Sequence, residues 1–155
     1  MNALLPLVLA LAGTPATTDT LPTKEVLTLR AAKTIAEAAE AEAQRRGSTV
    51  VIVVVDDAGN MLVLHRLDDT QVASVEVGIA KARTAAIFRR PSKVFEDQVK
   101  NGRISALALP GAAALQGGVP ILHRGHVVGA IGVSGNTPQE DEDIAKAGAA
   151  ALPGR

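Results

Sequence analysis

The chain has no cysteine, no tryptophan and no tyrosine, and its only aromatic side chains are Phe88 and Phe95. Without thiols there is no disulfide, no thiolate nucleophile and no cysteine-ligated zinc. Two phenylalanines make no platform on which unpaired nucleobases could stack. Charge of either sign is also not in excess: 16 Lys plus Arg balance 16 Asp plus Glu over 155 residues. A net charge of zero supplies no field to hold nucleic acid or an anionic membrane surface. The longest apolar run at the N-terminus, Leu4 to Ala12, is too short to cross a bilayer as a helix, so no membrane insertion is expected. What remains is an Ala- and Gly-rich chain, 47% hydrophobic, of a length that suits one domain with a real core.

The N-terminal run, LLPLVLALA, is followed by Gly13-Thr14-Pro15-Ala16 and a polar TTDT. A short apolar run ending in small residues reads as a secretory signal over residues 1–16, cleaved after Ala16 or Ala12, although no Lys or Arg precedes it. Export to the periplasm or the medium is the expectation; a retained run would leave the protein cytoplasmic. Residues 17–26, with Pro22 and several Thr, read as a linker, and residues 27–155 as the folded domain.

Thr28 is placed to cap a helix from Leu29 to Arg46, and Gly47 after Arg45-Arg46 is a stop signal. Thr49 to Val55, TVVIVVV, has no polar face, so it predicts a strand covered on both sides. Asp56 to Asn60 is a turn that returns the chain as an antiparallel strand, Met61 to Leu67. Asp68-Asp69-Thr70 reads as the cap of a second helix, Gln71 to Phe88, which Pro91 ends. Ser92 reads as the cap of a third, Lys93 to Asn101. Residues 102–116 form a connection. Thr137-Pro138-Gln139-Glu140 is a capping box for a last helix to about Leu152, stopped by Pro153-Gly154.

Between them lies Gly117 to Asn136, two strands around the turn Arg124-Gly125. Its return strand alternates a bulky face (Val127, Ile131 and Val133, with Gly129) with a nearly smooth one (Val128, Ala130 and Gly132). A smooth face admits a helix, a second subunit or a flat ligand at close range, with helix-on-sheet packing the favoured use. The element order predicts an α+β fold with an antiparallel sheet and helices on both faces.

Three segments of this sequence, His65-Arg66-Leu67-Asp68, Ser74-Val75-Glu76-Val77 and Ala80-Lys81-Ala82-Arg83-Thr84-Ala85, resemble the GlcG/HbpS family, the haem-degrading domain that recurs at the C-terminus of PduO-type proteins. Val54 to Gly59 resembles the family's first hairpin, and Gly117 to Ile121 with Gly129 to Gly135 its closing one. The likeness spans residues 27 to 150. It implies a profilin-like antiparallel sheet of about five strands with helices on both faces, assembled into dimers or larger rings. It also implies haem as ligand, with a corrinoid as the alternative. Other members sit beside glycolate metabolism with no assigned activity. The matching positions are Arg66, Asp68, Ser74, Lys81, Thr84 and Ser134. Axial ligation differs between members, so the resemblance assigns no iron ligand.

Candidate cofactor-binding residues are therefore His65, Arg66, Ser74, Lys81 and Ser134. Arg66 and Lys81 are cations that could meet carboxylates such as haem propionates, or pair within the chain instead. His123 and His126 flank the two-residue turn as direct cross-strand neighbours with Cβ atoms about 5 Å apart, a geometry that can clip a transition metal or ligate haem iron. Gly132-Val133-Ser134-Gly135 is not a nucleophile elbow, and the glycines at 129, 132 and 135 lack dinucleotide spacing. The acidic run Glu140 to Asp143 suits the positive end of a helix better than calcium. The expected function is a small exported tetrapyrrole-binding protein that self-associates; the alternatives are an enzyme of small-molecule metabolism and a ligand-free assembly module.

Overall fold

The computed structural model describes residues 21–152; the expected signal and the Pro153-Gly154 stop lie outside them. Thr28 accepts the Ala31 amide and opens α1 (Leu29–Arg46), which closes on Gly47, as its caps predict. Its buried stripe of Ala32, Ile35, Ala36, Ala39 and Ala43 is narrow enough to lie close on a sheet.

That sheet has four antiparallel strands in the order β2-β1-β4-β3, one fewer than expected. They are β1 (Val51–Asp56), β2 (Met61–Arg66), β3 (Gly118–His123) and β4 (His126–Ser134). Residues Val51 to Val55 are fully buried because both faces of β1 are covered. Val50, Ile52, Val54, Ile131 and Val133 pack beneath α1 and α4 (Pro138–Ala150). Val51, Val53, Val55 and Ala130 pack beneath α2 (Ser74–Ile87).

The smooth face of β4 is where α2 lies. A Cβ added at Gly132 would stand 2.3 Å from the Gly78 carbonyl oxygen and 2.5 Å from the Ala82 amide nitrogen, so glycine is required there by space alone. Val128 departs from the simple alternation. A register shift between Ile121 and Leu122 turns it into the core under α1 instead of towards α2. The turn itself has Arg124 at φ 47° and Gly125 at φ 78°, the paired left-handed residues that a two-residue hairpin needs.

Two expected caps do other work. α2 begins at Ser74 rather than Gln71, and its cap position, Ala73, makes no side-chain bond. Asp69 sits at φ 62° and the Thr70 hydroxyl turns back to the Leu67 carbonyl, so the Asp68-Asp69-Thr70 segment ends the β2 exit instead of starting the helix. Ser92 likewise leaves α3 (Lys93–Lys100) uncapped. Its hydroxyl donates to the Leu115 carbonyl and accepts the Gly118 amide at 2.8 Å, pinning the connection that runs from α3 to β3. That connection contains a 3₁₀ turn, Ile104–Ala108. Thr137 caps α4 as expected, but the Glu140 carboxylate takes the Ser48 hydroxyl in place of closing the box.

Because β1 and the smooth face are covered within the chain, neither leaves surface for a partner. Exposed apolar side chains lie elsewhere, at Ile104, Leu107, Leu115 and Leu122 among others. Among the described residues no helix is long and apolar enough to cross a membrane.

Candidate functional site

The tip of the β3–β4 hairpin pairs His123 directly with His126, as the two-residue turn dictates. His123 Nε2 lies 3.6 Å from a Glu25 carboxylate oxygen, and Arg124 donates to the other oxygen at 3.3 Å. Glu25 precedes α1, so the segment leading into that helix is strapped across the hairpin. His126 is exposed, and its imidazole has no hydrogen-bond or ion-pair partner among the described residues.

Three openings surround this tip. His123 borders a cavity of about 310 Å³ walled by Leu27, Val128 and Leu152. His126 borders one of about 410 Å³, with Lys24, Asp57, Arg89 and Arg124 around it. A groove of about 550 Å³ follows the outer edge of β3, walled by Pro91, Val119, Pro120 and Leu122, with Arg89 and Lys146 also in its lining. Pro120 has no amide hydrogen to offer along that edge, which suits an apolar wall better than strand pairing. Lys24 is paired with Asp57 at 2.7 Å and Lys146 with Glu142 at 2.8 Å.

The residues taken from the family resemblance lie elsewhere. Register sets Arg66, Val51 and Ser134 in one row across the sheet, on the face that α2 covers. Gly78 lies over Val51 and Val53 while Gly59 touches Arg83 and Ile87, so α2 runs away from that row and Ser74 begins beside it. Arg66, Ser74 and Ser134 thus gather at one end of the sheet. Arg66 donates to the Thr70 carbonyl at 3.0 Å, and the buried Ser74 hydroxyl has no partner among the described residues. Asp68 is exposed nearby in sequence. His65 is on the opposite face, with Nδ1 2.7 Å from Glu40 Oε2 on α1. The eight steps of β4 from His126 to Ser134 put about 26 Å between this end and the hairpin tip, so within one protomer a single ligand does not touch both.

Lys81 and Thr84 hold the interior together. Lys81 is 4% exposed, and its ammonium donates to Asp141 Oδ2 at 2.8 Å and to the Val133 carbonyl at 2.9 Å. Gly117, at φ 124°, leaves the room: a Cβ there would stand 2.9 Å from Lys81 Nζ. Burial pushes the Asp141 carboxyl above its usual range, against the pull of the Lys81 ammonium and of the Asn136 and Gly135 amides. Thr84 accepts the Ala113 amide at 2.8 Å and donates to the Ala80 carbonyl at 2.7 Å, fastening the connection to α2.

Glu25, Arg89 and Lys146 were not among the residues that the sequence singles out, and Asp141 entered only within the acidic run Glu140 to Asp143. Only the fold brings the first three to the hairpin. Asp141 does sit in the first turn of α4, as the helix-dipole reading expects, but its carboxylate is turned inward.

The class is thus a small α+β protein with a histidine-tipped hairpin, flanked by cavities of mixed apolar and cationic lining. The family model described as haem degrading protein HbpS-like matches residues 27–150, and the chain belongs to that family. It is 42% identical over 112 residues to Protein GlcG of Escherichia coli (strain K12), covering 72% of this chain and 84% of that protein. Its structure is similar to that of a double mutant of HbpS from Streptomyces reticuli, with a TM-score of 0.79 and 35% identity over 92% of this chain and 98% of that one. It is also similar to the protein in the crystal structure of a PduOC:heme complex, at a TM-score of 0.75 and 26% identity over 83% of this chain and 96% of the other.

Proposed function

We propose that this protein binds haem or a closely related tetrapyrrole at the tip of the β3–β4 hairpin, as an exported oligomer. The observation that carries the reading is the directly opposed pair His123 and His126. His123 and His126 would hold the iron of such a group, and the His126 imidazole has no hydrogen-bond or ion-pair partner among the described residues. The neighbouring groove is apolar along β3 and also lined by Arg89 and Lys146, which suits a flat apolar ring bearing acidic side chains. Bound iron would supply redox chemistry; this chain supplies the imidazoles, the apolar wall and the cations. The family description and the PduOC:heme neighbour support the same ligand class. A corrinoid is the alternative that the PduO relatives suggest, though the match covers 36% of the corrinoid adenosyltransferase PduO of Salmonella typhimurium.

Self-association is supported by the apolar side chains left exposed at Ile104, Leu107 and Leu115. Export is supported by the run Leu4 to Ala12, outside the described residues. Native mass spectrometry of protein made in its own host, before and after adding haemin or cobalamin, tests all three. Expected are a polypeptide that begins near Gly13 or Thr17, a multiple of that mass, and a haem adduct. A full-length monomer that takes up neither ligand would contradict the reading.

A further inference from the structure

We infer that Arg89 recognises a carboxylate of the ligand seated at the hairpin tip; this inference rests on the function proposed above. α2 ends at Ile87, and Arg89 then takes φ 54°, a left-handed backbone uncommon for a non-glycine residue. Its side chain lines both the cavity of about 410 Å³ that holds His126 and the apolar groove of about 550 Å³ along β3. Neutralised cations surround it. Lys24 is held by Asp57, Arg124 by Glu25 and Lys146 by Glu142. The Arg89 guanidinium alone of these has no hydrogen bond or ion pair among the described residues. An unspent planar cation between an apolar wall and an imidazole fits a molecule with an apolar body and a terminal carboxylate, which arginine can hold by two parallel bonds. The nearby carboxylates, Glu25 and Asp57, are already engaged by the other cations, so they do not compete for it.

Three probes separate this role from iron ligation: haemin, haemin dimethyl ester and metal-free protoporphyrin IX, each titrated into the full chain at two salt concentrations. Arg89→Gln should weaken haemin and metal-free porphyrin about tenfold while leaving the ester unchanged, and Arg89→Lys should recover part of the loss. The Soret position of bound haemin should stay that of the wild type, because the iron donor is untouched. Equal affinity of Arg89→Gln and wild type for haemin would overturn the inference and leave the proposed function standing. Equal loss for acid and ester would also overturn it, assigning Arg89 to the shape of the groove. Failure of wild-type protein to bind haemin would overturn the proposed function, and this inference with it.

Discussion

Lys81 and Asp141 meet at 2.8 Å in the interior and join α2 to α4, with the Val133 carbonyl of β4 as the third partner. The pair is sealed by Gly117, whose missing side chain makes the space for the ammonium. Its geometry assigns it to fastening the two layers over the sheet.

Removing one partner should therefore cost far more than removing both. Asp141→Ala leaves a buried ammonium with one carbonyl and should destabilise by about 3–5 kcal/mol. Lys81→Met combined with Asp141→Leu should recover much of that loss, because no charge stays buried. Urea denaturation of the two variants checks this; a single-variant loss within ordinary surface scatter would show that the pair contributes little.

The contact of α2 with β4 predicts a sharp difference between two glycines. Gly132→Ala would drive a methyl into the Gly78 carbonyl and the Ala82 amide, which are backbone and cannot swing aside. A loss of about 3 kcal/mol or more is expected, at or beyond the upper end of ordinary overpacking. At Gly78 the same methyl meets only Val53 and Val51 side chains at 3.3 and 3.4 Å, and the helix favours alanine, so Gly78→Ala should be nearly neutral. Thermal unfolding of both variants decides it, and equal costs would mean that α2 sits farther from the sheet.

Asp56 gives the fold a pH dependence at the β1–β2 turn. Burial raises its carboxyl, but bonds from the Asn60 amide and side chain and from the Ala58 and Gly59 amides outweigh this and hold it below its ordinary 3.8. A depressed native value means that the unfolded chain binds the proton first. The stabilisation is thus complete above pH 3.8 and is lost as pH falls through the native value. Asp56→Asn should lose this component, so its stability disadvantage should shrink as acid is added. A disadvantage that is constant from neutral pH downward would refute the assignment.

Some of this was legible in the chain and some was not, for physical reasons. TVVIVVV announces a strand covered on both sides because two-sided burial removes polar alternation. Thr28, Gly47 and Thr137 act within a few residues of themselves, so their caps can be read locally. The histidine pair is legible for the same reason: a two-residue turn leaves its flanking residues no choice but to face each other. Asp68 to Thr70 and Ser92 look like caps in isolation, yet backbone groups distant in sequence claim Ser92 and the β2 exit takes Thr70. The Lys81–Asp141 pair and the Glu25 strap join segments far apart in sequence, and residue type alone does not say which cation meets which carboxylate or that Arg89 is left with none.

We propose that the hairpin-tip imidazoles hold the iron of a bound tetrapyrrole. The most direct measurement is a haemin titration of wild type and of His123→Ala/His126→Ala, followed in the Soret region. The double variant should keep its stability within about 1 kcal/mol, since His126 is exposed and His123 is half-buried with a 3.6 Å contact to Glu25. Its affinity for haemin should fall and its Soret band should move, whereas His65→Ala, on the other face of the sheet beside Glu40, should match the wild type. An unchanged band and affinity in the double variant would contradict the account.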